Sequence, residues 1–316
     1  MEQPIQILPS QQIDQQKWNQ CINQSKHALI YADYRFLNAL CDNWSGLIVG
    51  DYESVMPLPW RKKWGIRYLY APPFIQQLGF YGNLNSLNMP AIWKSIFSFA
   101  KFGDLFFNFQ NKELLNEFAF TEKTNFILNL DAPYPSIHAG YTHDLIKNLQ
   151  KSEKRVLLYV NDLRLEESIH LFQTQYQERF PQYNKAIYTN FLHVCTALSN
   201  SNNCITRSIF TENGNEILAT AVLLKNSNRL SLIMNATTQT GRTLAANHFL
   251  IDQIIQEFSE EKILFDFEGS ELKGVKEFYA SFHPANQPYF QVSYNRLPSI
   301  LNWIRKKFFV PTNQSN

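Results

Sequence analysis

Apolar residues recur with helical spacing over residues 13–23, 34–43 and 89–99, and with strand-like spacing over 44–51, 54–60, 105–109 and 124–130. The three-residue connection 51–53 predicts an antiparallel pairing of the first two strands. Pro57 and Pro59 cannot donate ladder hydrogen bonds, which places the end of the second strand at an edge or a bulge. The first 130 residues therefore read as one mixed α/β unit, closed by the proline-marked segment Asp131-Ala132-Pro133-Tyr134-Pro135.

Beyond it, Thr142 is placed to cap a helix over 144–155, followed by a strand at 156–160 and helices at 165–179 and 189–200. Three strands in meander spacing come next, at 204–211, 217–225 and 229–236, with an Asn213-Gly214 turn between the first two. A linking segment, 239–244, leads into a helix from about residue 245 to 258. The pattern culminates in Leu264-Phe265-Asp266-Phe267-Glu268-Gly269-Ser270, a buried strand that brings two carboxylates to its exit. A short amphipathic helix follows, with Val275, Phe278, Tyr279 and Phe282 on its apolar face. The expected organisation is an N-terminal unit over 1–132, a second unit over 133–299, and a C-terminal helix and tail over 300–316.

Composition narrows the class. The 316 residues are 45% hydrophobic and 18% charged, with 25 Phe and 15 Tyr, enough for one large or two ordinary cores. Lys and Arg number 29 against 27 Asp and Glu, so any polyanion-binding site is local rather than global. No apolar run is long enough to span a membrane, and residues 1–20 are polar, which predicts a cytoplasmic protein. Cys21, Cys41, Cys195 and Cys204 form no C-x-x-C pair and have no His at ligand spacing; they read as reduced thiols, and no metal is expected. His138, His143, His193, His248 and His283 are scattered, with no nucleophile, P-loop or dinucleotide signature beside them.

The order of elements after residue 200, together with Val55-Met56-Pro57-Leu58, the loop from Pro72-Pro73 to Gly79, the capped helix opening at Thr142, Ala245-Ala246-Asn247 and the 266–270 segment, resembles the Gcn5-related acyltransferase (GNAT) superfamily. Over nearly the whole chain the resemblance is to its Fem-type (FemAB/FemX-like) branch and bacterial relatives. It implies an α/β fold of two tandem GNAT-like mixed-sheet units with an interdomain cleft. In that superfamily an Arg or Gln, two residues, a Gly, one residue and a Gly or Ala hold the donor pyrophosphate on backbone amides at a helix N-terminus. Here Arg242-Thr243-Leu244-Ala245-Ala246-Asn247 keeps the Arg but has Ala at the first Gly and Asn at the last position. The resemblance implies a donor site of Gln239, Gly241, Arg242, Ala245, Ala246 and Asn247 for acyl-coenzyme A. Fem-type enzymes instead take aminoacyl-tRNA, and those that bind tRNA carry a long helical arm, for which no stretch between Glu166 and Asn203 is long enough.

Glu268 and Asp266 are candidate general bases toward an amine, or ion-pair partners of Lys273, Lys276 or the next helix start. Phe74, Gln76 and Gln77 on the proline-stiffened loop, with Gly269, Ser270 and Lys273, are candidate acceptor-binding residues. Lys147, Lys151, Lys154 and Arg155 form either a phosphate clamp or a solvated face, and the aromatic and basic segment 300–309 either a membrane-surface helix or a packed one. The expected reaction is transfer of an acyl or aminoacyl group from a small-molecule donor to an amine acceptor by direct attack, with tRNA a less favoured donor, peripheral membrane contact open and no DNA partner. The rival reading is a catalytically silent binding module for a cell-envelope precursor or anionic lipid.

Overall fold

A computed structural model describes residues 3–162, 164–269 and 272–299. The chain divides into two compact units, the first made of Met1–Lys123 plus the segment that begins at Tyr289, the second of Thr124–Pro288.

In chain order the first unit contains β1 (Ile5–Pro9), α1 (Gln15–Gln24), α2 (Tyr34–Leu40), β2 (Trp44–Val49), β3 (Ser54–Lys63), β4 (Ile66–Leu69), β5 (Tyr81–Gly82), α3 (Met89–Phe99), β6 (Phe102–Phe107) and β7 (Thr121–Lys123). Asp14, Asp33 and Asn88 cap the three helices with side-chain oxygens on free first-turn amides. Helix α3 lays Ile92, Trp93 and Ile96 into a core with Leu47, Met56, Leu58 and Phe107. On α1, Trp18 meets Trp44 with ring centroids 5.1 Å apart. Gly46 lies so close beneath Trp18 that a Cβ there would come within 2.6 Å of the indole.

The second unit contains β8 (Phe126–Asn129), α4 (Tyr134–His138), α5 (His143–Glu153), β9 (Leu158–Val160), α6 (Leu165–Tyr176), α7 (Lys185–Ser199), β10 (Cys204–Phe210), β11 (Ile217–Asn226), β12 (Arg229–Thr237), α8 (Gln239–Thr243), α9 (Ala246–Glu257), β13 (Leu264–Asp266), α10 (Lys273–Ala280) and β14 (Ala285–Asn286). Thr142 caps α5 through the Leu145 amide. Leu250, Ile251, Ile254 and Ile255 of α9 pack with Leu145 and Leu149 of α5 on sheet residues such as Leu218, Leu223, Leu230 and Phe265. Helices α6 and α7 pack on strands β10 to β12 and project no arm.

The chain then enters β15 (Tyr289–Asn295), which pairs antiparallel with β6 and β7 of the first unit. The two sheets now show one plan. The first runs β1-β2-β3-β4-β6-β15-β7 and the second β9-β10-β11-β12-β13-β8-β14. Each has four antiparallel strands and then a parallel pair, β4 with β6 and β12 with β13, joined through a helix, α3 or α9. In each, the sixth place is taken by a strand from a distant part of the chain, β15 or β8.

This arrangement departs from a boundary at 132/133 and from a contiguous second unit over 133–299. Strand β8 pairs with β13 rather than within the first unit, and β15 leaves the second unit altogether. The prolines at 133 and 135 mark entry into α4, whereas sheet membership depends on distant hydrogen-bond partners that local spacing does not encode. Segment 239–244, read as a link, is mostly the helical turn α8, because Thr238 accepts the Gly241 amide. The proposed C-terminal helix over 300–316 lies outside the described residues.

Phe290 and Val292 of β15 are each 1% exposed, so burying the pair contributes about 3–6 kcal/mol to the first unit. A chain truncated after Pro288 should therefore lose hydrogen-exchange protection at residues 55–58 while β11 and β12 stay protected. Full protection at 55–58 in the truncated chain would show that β15 is dispensable.

Candidate functional site

Strands β12 and β13 pair over only three residues, from Arg229 opposite Leu264 to Ser231 opposite Asp266. Beyond Ser231, β12 runs on to Thr237, so among the described residues that edge has no strand partner over 232–237. The parting coincides with a bulge. Val222 of β11 faces Met234 and Leu223 faces Leu232, leaving Ile233 as the extra residue of β12. A sheet that opens beside a helix N-terminus offers backbone donors and a cleft together.

That helix is α9. Ala245, its N-cap, is 2% exposed and held at φ +56°, and it supplies no capping side chain. A left-handed alanine is a strained position where glycine is at ease. Ala246 is fully buried at the first helical position. Asn247 exchanges side-chain hydrogen bonds of 2.8 and 2.9 Å with Asn235, fixing the start of α9 against the unpaired length of β12. Gly241 is buried and its role is packing, since a Cβ would fall 2.1 Å from the Leu218 carbonyl oxygen. Arg242 is exposed and donates to Gln175 Oε1 at 3.1 Å and to Gln239 Oε1 at 3.5 Å. The structure thus gathers Gln239, Arg242, Ala245, Ala246 and Asn247 around one helix entry, with Gly241 beneath them.

At the exit of β13, Asp266 is fully buried and forms an ion pair with Arg229, itself 5% exposed. The other Asp266 oxygen accepts the Glu268 amide at 2.9 Å. Arg229 also donates to Gln287 Oε1. Strict alternation would put Asp266 and Glu268 on one face, but β13 ends at Asp266 and Glu268 turns to φ +56°. The Asp266 side chain, by capturing the amide two residues on, breaks the extended backbone. Its cationic partner is neither Lys273 nor Lys276. Lys273 is exposed and lies 3.9 Å from Glu277, and Lys276 Nζ donates to Thr124 Oγ1 at 2.8 Å. Glu268 is half-buried; its charge helps to raise the pKa of the Tyr279 phenol, after burial and Tyr176. Gly269 is indispensable to this turn, because a Cβ would meet the Thr124 carbonyl at 1.9 Å, and its amide donates to Asn125 Oδ1 at 3.1 Å. Ser270 lies outside the described residues.

In the first unit, Gln76 and Gln77 line a pocket with Met56, Pro57, Tyr70 and Asp104. Gln77 is 1% exposed and donates to Gln76 Oε1 at 2.8 Å, while its own Oε1 is buried without a hydrogen-bond partner. Phe74 sits at φ +58° and is not among the lining residues. Asp104, on β6, is half-buried and accepts from Gln291 Nε2 at 3.2 Å and from Ser293 Oγ. Local sequence gave no sign of it, because the strand that holds it, β15, is distant in the chain.

His248, in the first turn of α9, was equally silent. Its Nδ1 is buried without a partner, and burial, then Lys151, lower its pKa to about 4, so the imidazole is neutral. Its ring stands edge-on to Phe278, centroids 4.9 Å apart. Nothing in the sequence singles it out; burial of its Nδ1 does. Lys147, Lys151, Lys154 and Arg155 are all exposed, and Lys147 lies 3.9 Å from Asp144 on its own helix.

No family model and no curated protein matches the sequence. Solved structures do. FemX superposes with a TM-score of 0.65 at 11% identity, covering 96% of this chain and 99% of its own. The C-terminal domain of a putative lysylphosphatidylglycerol synthetase from Agrobacterium fabrum gives 0.61 at 10% identity, covering 96% and 98%. A tandem GNAT protein from the clavulanic acid biosynthesis pathway gives 0.56 at 10% identity, covering 94% and 100%. With two sheets of one plan and these neighbours along nearly its whole length, the chain has the Fem-type tandem-GNAT fold.

Proposed function

We propose that the protein is an acyltransferase that moves an acyl group from a thioester donor, acyl-coenzyme A, to an amine. The observation that carries this reading is the parting of β12 from β13 beside the side-chain-free N-terminus of α9. A pyrophosphate there would meet backbone N–H groups and the positive end of the helix dipole, with the exposed Arg242 as a clamp. The acyl chain would lie along the edge of β12 beyond Ser231, whose amides would stabilise a tetrahedral oxyanion. Glu268 would take the proton of the attacking amine, and Asp266 would position it by anchoring the turn to Arg229. The pocket bearing Gln76, Gln77 and Asp104 is the proposed acceptor-binding surface. Helices α6 and α7, packed on the sheet, favour a small donor over aminoacyl-tRNA, although the name of the lysylphosphatidylglycerol synthetase neighbour keeps an aminoacyl donor in view.

The engagement of both Asp266 oxygens favours, for that residue, the rival reading of a silent binding module. Two variants separate the readings. Glu268→Gln should lower turnover by roughly 10²–10⁴ and leave thermal stability close to wild type. Asp266→Asn leaves Arg229 buried without its counter-charge and should cost about 3–5 kcal/mol of stability. Wild-type turnover in Glu268→Gln would remove catalysis from this turn.

Donor binding is tested by thermal shift with acetyl-coenzyme A, longer acyl-coenzyme A thioesters and aminoacyl-tRNA. Arg242→Ala should weaken a coenzyme A thioester by about tenfold without changing the melting temperature of the free protein. Stabilisation by aminoacyl-tRNA alone would replace the donor, and unchanged thioester affinity in Arg242→Ala would remove the clamp.

A further inference from the structure

Strands β3 and β4 are joined by a two-residue turn, Trp64-Gly65, with φ +50° and +78°. Two successive left-handed residues are the signature of a hairpin turn that strongly prefers Asn-Gly, Asp-Gly or Gly-Gly, because a bulky side chain is strained there. Tryptophan is thus a costly choice for this turn. It is also 60% exposed, the most exposed large apolar side chain among the described residues. An indole exposed to this degree leaves most of its apolar surface in water.

The charge around it is one-sided. Between Glu53 and Asp104 the sequence holds no acidic residue, while Arg61, Lys62, Lys63, Arg67, Lys94 and Lys101 are all cations. Arg61 is matched by Asp42. Lys62 and Lys63 are exposed at the hairpin end. Lys62 lies directly opposite Arg67 in the ladder, a like-charge pair that is unfavourable until an anion is near. Arg67 in turn stacks its guanidinium on Trp60 and Phe99 and donates to the Phe99 carbonyl at the end of α3. The Lys63 ammonium lies 5.2 Å from the Trp64 ring, so indole and cation are displayed together.

We propose that the β3–β4 hairpin docks on the surface of an anionic lipid bilayer, seating Trp64 at headgroup depth with Lys62 and Lys63 against lipid phosphates. An indole with an apolar body and one N–H suits that interface, and lysine stems extend along apolar surface with the ammonium in the headgroup layer. The geometry fits a bilayer better than nucleic acid. A single projecting tip offers no groove to track a strand, and its exposed cations are lysines, point charges rather than the bidentate forks of arginine. With one indole and two lysines the contact is reversible, each lysine adding attraction only while the lipid is anionic and the salt low.

Co-sedimentation of the full chain with vesicles tests this, using phosphatidylcholine alone and phosphatidylcholine mixed with phosphatidylglycerol. Binding should require phosphatidylglycerol and fall with added salt. Trp64→Asn supplies the residue the turn prefers, so it should match or exceed wild-type thermal stability and yet lose vesicle binding. Lys62→Gln with Lys63→Gln should weaken binding by about 30-fold. Absence of binding to phosphatidylglycerol vesicles would overturn the proposal. So would vesicle binding that survives both sets of substitutions, or retention of RNA in place of vesicles by the same lysines.

Discussion

A buried arginine–aspartate pair governs the second unit. Arg229 opens β12 and Asp266 closes β13, and their contact pins the short parallel register between the two strands. Two charges taken out of water are tolerated only when their hydrogen bonds are met, and here they are: Arg229 also reaches Gln287, and Asp266 also holds the Glu268 amide. Beside that one contact lie the place where β12 and β13 part, the left-handed turn at Glu268 and the close approach of Gly269 to Thr124. A hydrophobic pair of equal size could hold the strands together, but it would leave the 266–269 backbone without its hydrogen-bond acceptor.

Near this contact, the entry to α9 combines a left-handed backbone with residues that leave it no capping side chain. Alanine occupies the left-handed position, and Asn247 is turned inward to Asn235. The side chains exposed at the helix entry are Gln239, Thr240, Arg242 and Thr243, while Ala245 and Ala246 are buried. Gly241 illustrates the difference between a residue near a site and one that acts in it; its missing Cβ makes room for the Leu218 carbonyl.

The helices and most strands were legible because their apolar spacing and caps are local: 89–99 is α3 to the residue, and Thr142 caps α5 as its spacing implies. The meander and crossover of the second unit were legible for the same reason, and the fold class followed from their order. Pairings made across long stretches of sequence were not legible. Nothing around Tyr289 indicates that β15 completes the first sheet, and so nothing pointed to Asp104, whose partners sit on that strand. The cation for Asp266 was sought among neighbouring lysines and lies on another strand, Arg229. His248 was hidden by its own ordinariness in sequence; only burial of its Nδ1 marks it.

The exchange of β15 and β8 between the sheets has a consequence for biosynthesis. On a ribosome the chain emerges N-terminus first, and domains ordinarily fold in that order. Here the first sheet cannot close until residue 295 has been made, because its sixth strand is among the last described segments of the chain. The second sheet has every strand it needs once residue 286 is out. The unit that is synthesised second is therefore the first able to complete its sheet. Until then β6 and β7 present open edges, and the nascent first unit depends on the rapid arrival of its own C-terminal strand to cover them.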